Sequence, residues 1–327
     1  MGFEFNIRRM GEGDLAAVAE VEAGVFTDWY RVHRRDPEPL PERTIEELRY
    51  ATSIDPGGNL VAVSAEGAIV GFVLARKWGS VGWFGTFGVP TQFQGLGIGK
   101  ALIAATVRHL RESVSIVGLE TMPESGSNIG LYSRTGFVVG YPTIILESAL
   151  QGETEDGPHG GGEIAVWSAQ DPETRGRFAE QVREIGDGIV RGLDYLPEVE
   201  AIEKHGFGET FLCIEGGDVS GFAVLRTAPF RRIDRVGRGY IHLLALRTGC
   251  DRGQSISRLL ARVRAAAAAA GLTGVVAGVS ARYPQALELF YENGFRSQRA
   301  SIRMIERSSR PDIFERSPEV NSSRWVG

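Results

Sequence analysis

Residues 89–102 read VPTQFQGLGIGKAL, and this stretch sets the fold of the first half of the chain. It joins a predicted strand that ends near Val89 to a predicted helix with apolar residues at Ile98 and Leu102. Glycines at such a turn let the backbone bend tightly and bring N–H groups close to a ligand. The N-terminus of the helix adds unpaired N–H groups and the positive end of its dipole. The stretch therefore predicts an anion site, most commonly for phosphate.

Two common phosphate-binding motifs do not fit this stretch. A P-loop requires Gly-x4-Gly-Lys-Ser/Thr, but Gln94 stands at the first glycine and Ala101 follows Lys100. A dinucleotide-binding fingerprint requires Gly-x-Gly-x-x-Gly, and counting from Gly95 places Lys100 at the third glycine. That fingerprint also follows the first strand of its fold, whereas this strand is about the fourth. A nucleotide-binding domain is therefore disfavoured.

The motif that does fit is Gln/Arg-x-x-Gly-x-Gly/Ala, at Gln94, Gly97 and Gly99. With Val-Pro before it and a helix after it, this motif resembles the acyl-CoA loop of the GCN5-related N-acetyltransferases, the GNAT family. Residues 131–137, LYSRTGF, are similar to the second signature of the family, a helix whose tyrosine precedes a Gly-Phe pair. The resemblance covers residues 4–147.

The resemblance implies acetyl-CoA as a co-substrate and no metal. In such a domain the backbone of Phe87, Gly88 and Val89 would pair with the pantetheine amides like an added strand. The N–H groups from Gly95 to Lys100 would hold the pyrophosphate. The family often has an asparagine where this chain has Ser125, and Asn128 is displaced by three residues. The implied cofactor-binding residues are Phe87, Gly88, Val89, Gln94, Gly95, Leu96, Gly97, Ile98, Gly99, Lys100, Ser125 and Asn128.

The implied chemistry is direct attack of an amine on the acetyl carbonyl, so positioning and a backbone oxyanion contact carry most of the catalysis. Tyr132 is then the candidate acid for the departing CoA thiolate. The strand at 82–89 contains no carboxylate, so the base lies elsewhere. The candidate bases are Glu120 and Glu124, reached through water, and Asp28 and His33, in a predicted loop between the first two helices.

The two halves of the chain repeat each other. Gly71-Phe72 recurs as Gly221-Phe222 after similar strand-turn-strand sequences, and the Gly-Phe at residues 136–137 recurs at 294–295. The offset grows from 150 to 158 residues, which places about eight extra residues between Arg226 and Arg238. A glycine-rich acidic segment separates the halves and has too little apolar surface to order itself. The predicted fold is α/β, two tandem acetyltransferase-like domains, each with a mixed, mostly antiparallel sheet flanked by helices.

The predicted domain boundaries follow from the repeat and the linker. They are an N-terminal domain at 1–150, a linker at 151–162, a degenerate C-terminal domain at 163–307 and a polar tail at 308–327 that forms an arm or is disordered. In the first half we expect strands near 4–8, 59–65, 68–77, 82–89, 115–122 and 137–147, and helices after Asp14 and Thr44 and at 97–112 and 127–135.

The second half keeps the landmarks of the first and loses its chemistry. The repeat places Arg252 opposite Gln94, but Ser255 and Ser257 replace the two key glycines. Their Cβ atoms would crowd a pyrophosphate. Phe290 replaces Tyr132 and cannot donate a proton.

Composition limits the partners. The chain has 327 residues, 43% hydrophobic, and a formal net charge of -5, which argues against a dedicated nucleic-acid surface. No stretch predicts a membrane span or a signal peptide, and two cysteines make no metal-ligand spacing, so we expect a cytoplasmic protein. The expected assembly is a monomer or a homodimer. The predicted function is transfer of an acetyl group to a primary amine, on a small molecule rather than a protein. The alternative is a non-catalytic acyl-CoA-binding regulator.

Overall fold

The computed structural model describes residues 3–35, 38–150, 163–228 and 237–323, so the predicted linker at 151–162 lies outside the described residues. In the first half, strands and helices follow one another as predicted for an α/β domain. The elements of this half are β1 (Phe5–Arg9), α1 (Leu15–Arg34), α2 (Ile45–Ser53), β2 (Leu60–Ser64), β3 (Ile69–Trp78), β4 (Val81–Gly88), α3 (Ile98–Arg111), β5 (Ile116–Thr121), α4 (Gly126–Arg134), β6 (Phe137–Val139) and β7 (Thr143–Ala149).

The second half repeats this order. Its strand pair β10–β11 corresponds to β3–β4, and most of the extra residues predicted between these strands, 229–236, lie outside the described residues. The elements of this half are β8 (Glu163–Val166), α5 (Pro172–Ile189), α6 (Leu196–Lys204), β9 (Gly208–Glu215), β10 (Asp218–Arg226), β11 (Arg238–Leu246), α7 (Arg252–Ala269), β12 (Gly274–Ser280), α8 (Pro284–Glu292), β13 (Arg296–Glu306) and β14 (Asn321–Ser323).

Local sequence signals start the helices where they were predicted. The Thr44 side chain accepts a hydrogen bond from the Glu47 N–H at 3.2 Å, and the Glu47 carboxylate accepts one from the Thr44 N–H at 2.8 Å. This reciprocal capping box begins α2. Asp14 immediately precedes α1. Among the helices of the described residues, none is both long enough and apolar enough to cross a membrane.

The two halves exchange a strand. Within the described residues the sheet order is β1-β2-β3-β4-β5-β13-β7-β12-β11-β10-β9-β8. Thus β13, from the second half, pairs antiparallel with β5 of the first. In return β7, from the first half, pairs antiparallel with β12 of the second. Each half therefore completes its sheet with a strand from the other.

The structure corrects the prediction for residues 137–147. They form two strands rather than one, because the intervening segment 140–142 contains a glycine and a proline, and proline has no N–H to contribute to a ladder. Only the short β6 stays beside the first half, on the far end of β13. β7 lies in the sheet of the second half, between β13 and β12.

The described part of the polar tail is ordered and packs against the second half. A 3-10 turn forms at Pro311–Phe314 with Ile313 buried, and β14 follows. Val320 and Asn321 are fully buried, and β14 pairs with β11. Hydrogen-bonding backbone and short polar side chains allow this burial despite the low hydrophobicity of the tail.

A buried ionic cluster joins the two halves, with residues from α2 and α6. Glu198 of α6 lies 2.5 Å from Arg76 of β3, and it accepts hydrogen bonds from the Tyr50 hydroxyl at 2.9 Å and the Trp78 indole at 3.0 Å. Burial alone would raise the pKa of Glu198, but Arg76 and His242 hold it well below its ordinary value. Because the cluster draws residues from both halves, it fixes their relative orientation.

Candidate active site

The candidate site begins where two parallel strands separate. β4 and β5 pair over Val81–Phe84 and Ile116–Leu119, and the ladder ends there. In the last residues of β4, Gly85–Gly88, the ladder to β5 has ended, whereas Phe87 and Gly88 still pair with β3 beyond an irregularity at Gly85 and Thr86. This leaves a strand edge with backbone N–H and C=O groups along a cleft, which an extended ligand can meet as an added strand.

The glycine-rich loop lies at the end of this edge. Gly95 has a φ of +80° and Gly97 a φ of +85°, a left-handed backbone that side chains rarely adopt. A Cβ at either position would meet nothing within 4 Å, so the space beside the loop is open. Gln94 donates from Nε2 to the Val89 carbonyl at 3.1 Å, which closes the turn. The loop therefore presents its backbone to an open surface.

The start of α3 supplies the unpaired donors. The first bond at this end of the helix runs from the Ala101 N–H to the Gly97 carbonyl at 3.0 Å, so the N–H groups before Ala101 point out of the helix end. Gly99 lies close to β4, where an added Cβ would stand 3.2 Å from the Phe87 ring. Glycine at this position lets the helix N-terminus approach the strand edge.

Tyr132 lies beside the open edge in an aromatic cage. Its ring centroid is 6.2 Å from that of Phe84, 6.3 Å from Phe87 and 6.4 Å from Phe137. The side chain is 5% exposed, and its hydroxyl has no hydrogen-bond partner among the described residues. Burial raises the pKa of Tyr132 above the ordinary phenol value, so its proton is retained at neutral pH.

The two residues predicted to contact pantetheine lie at the start of α4. Ser125 is buried, and its hydroxyl has no hydrogen-bond partner among the described residues. Asn128 is half-buried in the first turn of the helix. Both residues therefore lie on the β5 side of the cleft, opposite the β4 edge. Their contact with pantetheine stays a prediction.

Glu120 lies one residue beyond the last β4–β5 pair, but its carboxylate is fully engaged. It accepts hydrogen bonds from the Arg303 guanidinium at 2.8 Å and from the Thr143 and Ser301 hydroxyls at 2.6 Å each. Burial alone would raise the pKa of Glu120, yet Arg303 and the two hydroxyls lower it below its ordinary value. Arg303 also lies over the Trp83 ring, 5.2 Å from its centroid. This arrangement fits an anchor for the exchanged strand β13 better than a proton acceptor.

Removing Arg303 should therefore cost stability. We expect Arg303→Met to lower the free energy of unfolding by about 3–5 kcal/mol at pH 7, because the Glu120 carboxylate is left buried without its cation. Urea unfolding followed by circular dichroism measures this. Arg8→Met is the matched control, since Arg8 pairs with Asp14 at an exposed site, where a pair contributes at most about 1 kcal/mol.

The pH dependence tests the same pair. In the wild type the lowered pKa of Glu120 contributes stability above pH 4.5, which is lost as the pH falls. In Arg303→Met the cation that lowers the pKa of Glu120 is gone and only the two hydroxyls oppose the effect of burial, so the pKa rises and the stability deficit should shrink between pH 7 and pH 4. A deficit no larger than that of Arg8→Met, or one that does not depend on pH, would contradict this account.

The other candidate bases are accessible. The Glu124 carboxylate is 40% exposed and accepts from Arg34 at 3.1 Å, which ties the end of α1 to the β5–α4 loop. Asp28 accepts from Thr91, beside the glycine-rich loop, at 3.1 Å. Contrary to the prediction of a loop, Asp28 and His33 lie on α1 itself, which continues past Gly24 to Arg34.

Sequence reasoning missed a buried pair beneath the open edge. Arg43 lies 3.2 Å from Glu22 of α1 and donates to the Thr86 hydroxyl of β4 at 3.1 Å. All three residues are buried, and they fix the edge to α1 and to the segment before α2. The missed signal was a buried arginine, which is indistinguishable from a surface arginine without the fold. Arg303 was missed for the same reason.

A groove adjoins the site on the α1 side. Its volume is about 540 Å³, and it lies between α1 and residues 39–42. Glu20, Asp28 and Glu42 line it together with Arg31, so its charge is mainly negative. Among the described residues, no group of three or more His, Cys, Asp or Glu is arranged to hold a metal ion.

The corresponding site of the second half is closed. α7 begins at Arg252, a turn earlier than α3 in the repeat, and the Asp251 carboxylate caps it by accepting from the Gln254 N–H at 3.0 Å. Ser255 is fully buried and donates to Glu215 at 2.8 Å. The N–H groups and the space that the first half leaves open are therefore occupied by the protein itself.

Comparisons with known proteins agree with this geometry. Residues 26–137 match the model of the acetyltransferase (GNAT) family. The chain is 31% identical over 113 residues to a mycothiol acetyltransferase of Paenarthrobacter aurescens, covering 32% of this chain and 35% of the relative. It is 31% identical over 134 residues to one of Saccharomonospora viridis, covering 38% and 42%. The chain thus matches well under half the length of these relatives.

Solved structures extend the likeness to both halves. A putative acetyltransferase from Pyrococcus horikoshii has a TM-score of 0.64 at 17% identity, covering 98% of this chain and 95% of that one. A tandem GNAT protein from the clavulanic acid biosynthesis pathway has a TM-score of 0.59 at 12% identity, covering 94% and 100%. At these identities the likeness concerns the fold. The matched family model shows an acetyltransferase (GNAT) domain at residues 26–137, and the solved structures show that nearly the whole chain has the fold of a tandem GNAT protein.

Proposed function

We propose that the first half transfers an acetyl group from acetyl-CoA to a primary amine by direct attack. The observation that carries this proposal is the open edge of Gly85–Gly88, with the glycine-rich loop at one end and Tyr132 at its side. Pantetheine would pair with the edge, and the pyrophosphate would meet the N-terminus of α3. The thioester would then lie where β4 and β5 separate.

The residues of the cleft support this chemistry. Tyr132 lies on the face of the sheet that packs against α3 and α4, and Glu120 with Arg303 lies on the opposite face. Tyr132 would give its proton to the departing thiolate. The amine has a free pKa of about 10 and must lose a proton to attack. We propose Glu124 over Glu120 for that step, since water reaches the Glu124 carboxylate and Glu120 is held by Arg303.

The acceptor would approach from the α1 side. The groove between α1 and residues 39–42 adjoins the cleft through the Asp28–Thr91 hydrogen bond, and its acidic lining suits a cationic amine. The names of the curated relatives favour a small-molecule acceptor over a protein. A cytoplasmic location and the absence of a metal requirement stay predictions.

Calorimetric titration with acetyl-CoA, NAD and ATP tests the proposal. We expect acetyl-CoA to bind at one site per chain, because the second half closes its helix N-terminus with Asp251 and Ser255. NAD and ATP should not bind. No binding of acetyl-CoA would overturn the proposal, and two sites per chain would overturn the inactivity of the second half.

The alternative is a regulator that binds acyl-CoA without turnover. The buried, protonated phenol of Tyr132 at the cleft favours the enzyme, because a sensor requires no acid there. An acetyl-CoA hydrolysis and amine-acetylation screen that finds binding but no turnover with any amine would favour the regulator.

A further inference from the structure

The cleft of the second half is already occupied. β11 pairs in parallel with β12 over Arg238–Ile241 and then separates from it, as β4 separates from β5 in the first half. In the second half, the part of β11 that no longer pairs with β12 pairs instead with β14, which runs antiparallel to Leu243–Ala245. The tail of the chain thus lies where the first half has its open edge.

The tail contacts both walls of this cleft. The Leu246 N–H donates to the Val320 carbonyl at 3.2 Å on the β11 side. Ser322 donates from its hydroxyl to the Gly278 carbonyl of β12 at 3.2 Å. Asn321 is fully buried and accepts from the Tyr195 hydroxyl at 3.3 Å. The fit therefore involves side chains as well as backbone.

The residues before β14 place a carboxylate at the helix end. Arg252, the counterpart of Gln94, donates to the Pro318 carbonyl at 2.8 Å and lies 3.5 Å from the Glu319 carboxylate. Thr248 donates to the same carboxylate at 3.1 Å. Thus Glu319 supplies a negative charge at the start of α7, where the first half presents its predicted pyrophosphate loop.

We propose that the cleft of the second half is a binding site for an extended peptide, and that its resident ligand is segment 317–323 of this chain. The class of ligand is a strand with a carboxylate followed two residues later by a buried asparagine. Backbone pairing with β11 provides affinity, and Tyr195, Gly278 and Arg252 provide selectivity. The inference rests on the proposed function only for its comparison with the first cleft.

Cleaving the chain after it has folded tests the proposal, because segment 317–323 is still attached while the protein folds. Arg316 is exposed, so a protease site inserted after it can be cleaved in the folded protein. We expect residues 317–327 to stay bound through gel filtration, and a labelled synthetic peptide of the same sequence to replace them at one per chain. The uncut chain is the control and should not take up the peptide.

Peptide variants test the contacts. A Ser322→Pro peptide should bind at least about tenfold more weakly, because proline contributes no N–H to the β11 edge. A Glu319→Gln peptide should bind about threefold more weakly, as expected for a partly exposed ion pair. A peptide with the same composition in scrambled order should not bind.

Two results would overturn the inference. One is a cut chain that loses residues 317–327, keeps its circular dichroism spectrum and does not take up the peptide. The other is a second acetyl-CoA site on the cut chain, which would make acyl-CoA the ligand of this cleft. Acetyl-CoA titration of the same sample reports on the first cleft, so failure of the proposed function is seen separately.

Discussion

Gly97→Trp is expected to abolish acetyl-CoA binding, with at least about a hundredfold rise in Kd, or about 2.7 kcal/mol. Gly97 is the residue before α3, with a φ of +85° and no atom within 4 Å of an added Cβ. The indole ring would fill the space in which, on the proposed function, the N–H groups of the helix end would bind the pyrophosphate. Titration calorimetry with acetyl-CoA measures the loss.

A matched control separates the ligand effect from backbone strain. Gly67 lies in the turn between β2 and β3 with a φ of +87°, and an added Cβ there also meets nothing within 4 Å. Gly67→Trp therefore imposes the same left-handed strain, about 1–2 kcal/mol, in a turn that belongs neither to the glycine-rich loop nor to the β4 edge. We expect its acetyl-CoA affinity to equal that of the wild type. Equal binding by Gly97→Trp, or equal loss in both variants, would refute the assignment of the loop.

The loop could be predicted because its information is local. Gln94, Gly97 and Gly99 each act through the backbone within a few residues, by a turn hydrogen bond, a left-handed φ and a close approach to Phe87. Such effects depend on residue type and spacing alone. The capping box at Thr44 was predictable for the same reason.

The strand exchange could not be predicted, because it depends on contacts between distant residues. The predicted strand at 115–122 contains Glu120, as β5 does, but the cation that neutralises its carboxylate comes from Arg303, in the other half. The polar composition of the tail also gave no sign that its residues are buried. Asn321, Ser322 and Ser323 look like solvated residues, yet all three are buried because their polar groups find partners within the cleft.

Arg303 contacts residues beside both clefts. Arg303 donates to the Ser323 carbonyl at 3.1 Å as well as to Glu120, so the end of β14 lies against the residue that anchors the exchanged strand beside the first cleft. The second half therefore supplies, through Arg303, the cation that holds Glu120 at the end of β5.

Tyr132→Phe is expected to lower kcat by about 10²–10⁴-fold, the usual contribution of a general acid. The Kd for acetyl-CoA should stay within about twofold of the wild type, because the phenyl ring keeps its place among Phe84, Phe87 and Phe137. The hydroxyl has no partner among the described residues, so its removal leaves no orphaned group there. Steady-state kinetics with an accepted amine, together with calorimetry, separates turnover from binding.

The control and the pH profile complete this test. Tyr291→Phe removes an exposed hydroxyl that contacts Ser297, next to the residue that replaces Tyr132 in the repeat, and it should leave kcat unchanged. Because burial raises the pKa of Tyr132, any loss of wild-type activity from its ionisation should begin above pH 10. An unchanged kcat in Tyr132→Phe would exclude the phenol as the acid and leave thiolate departure to solvent. A parallel loss of acetyl-CoA binding would instead assign Tyr132 to the wall of the cleft.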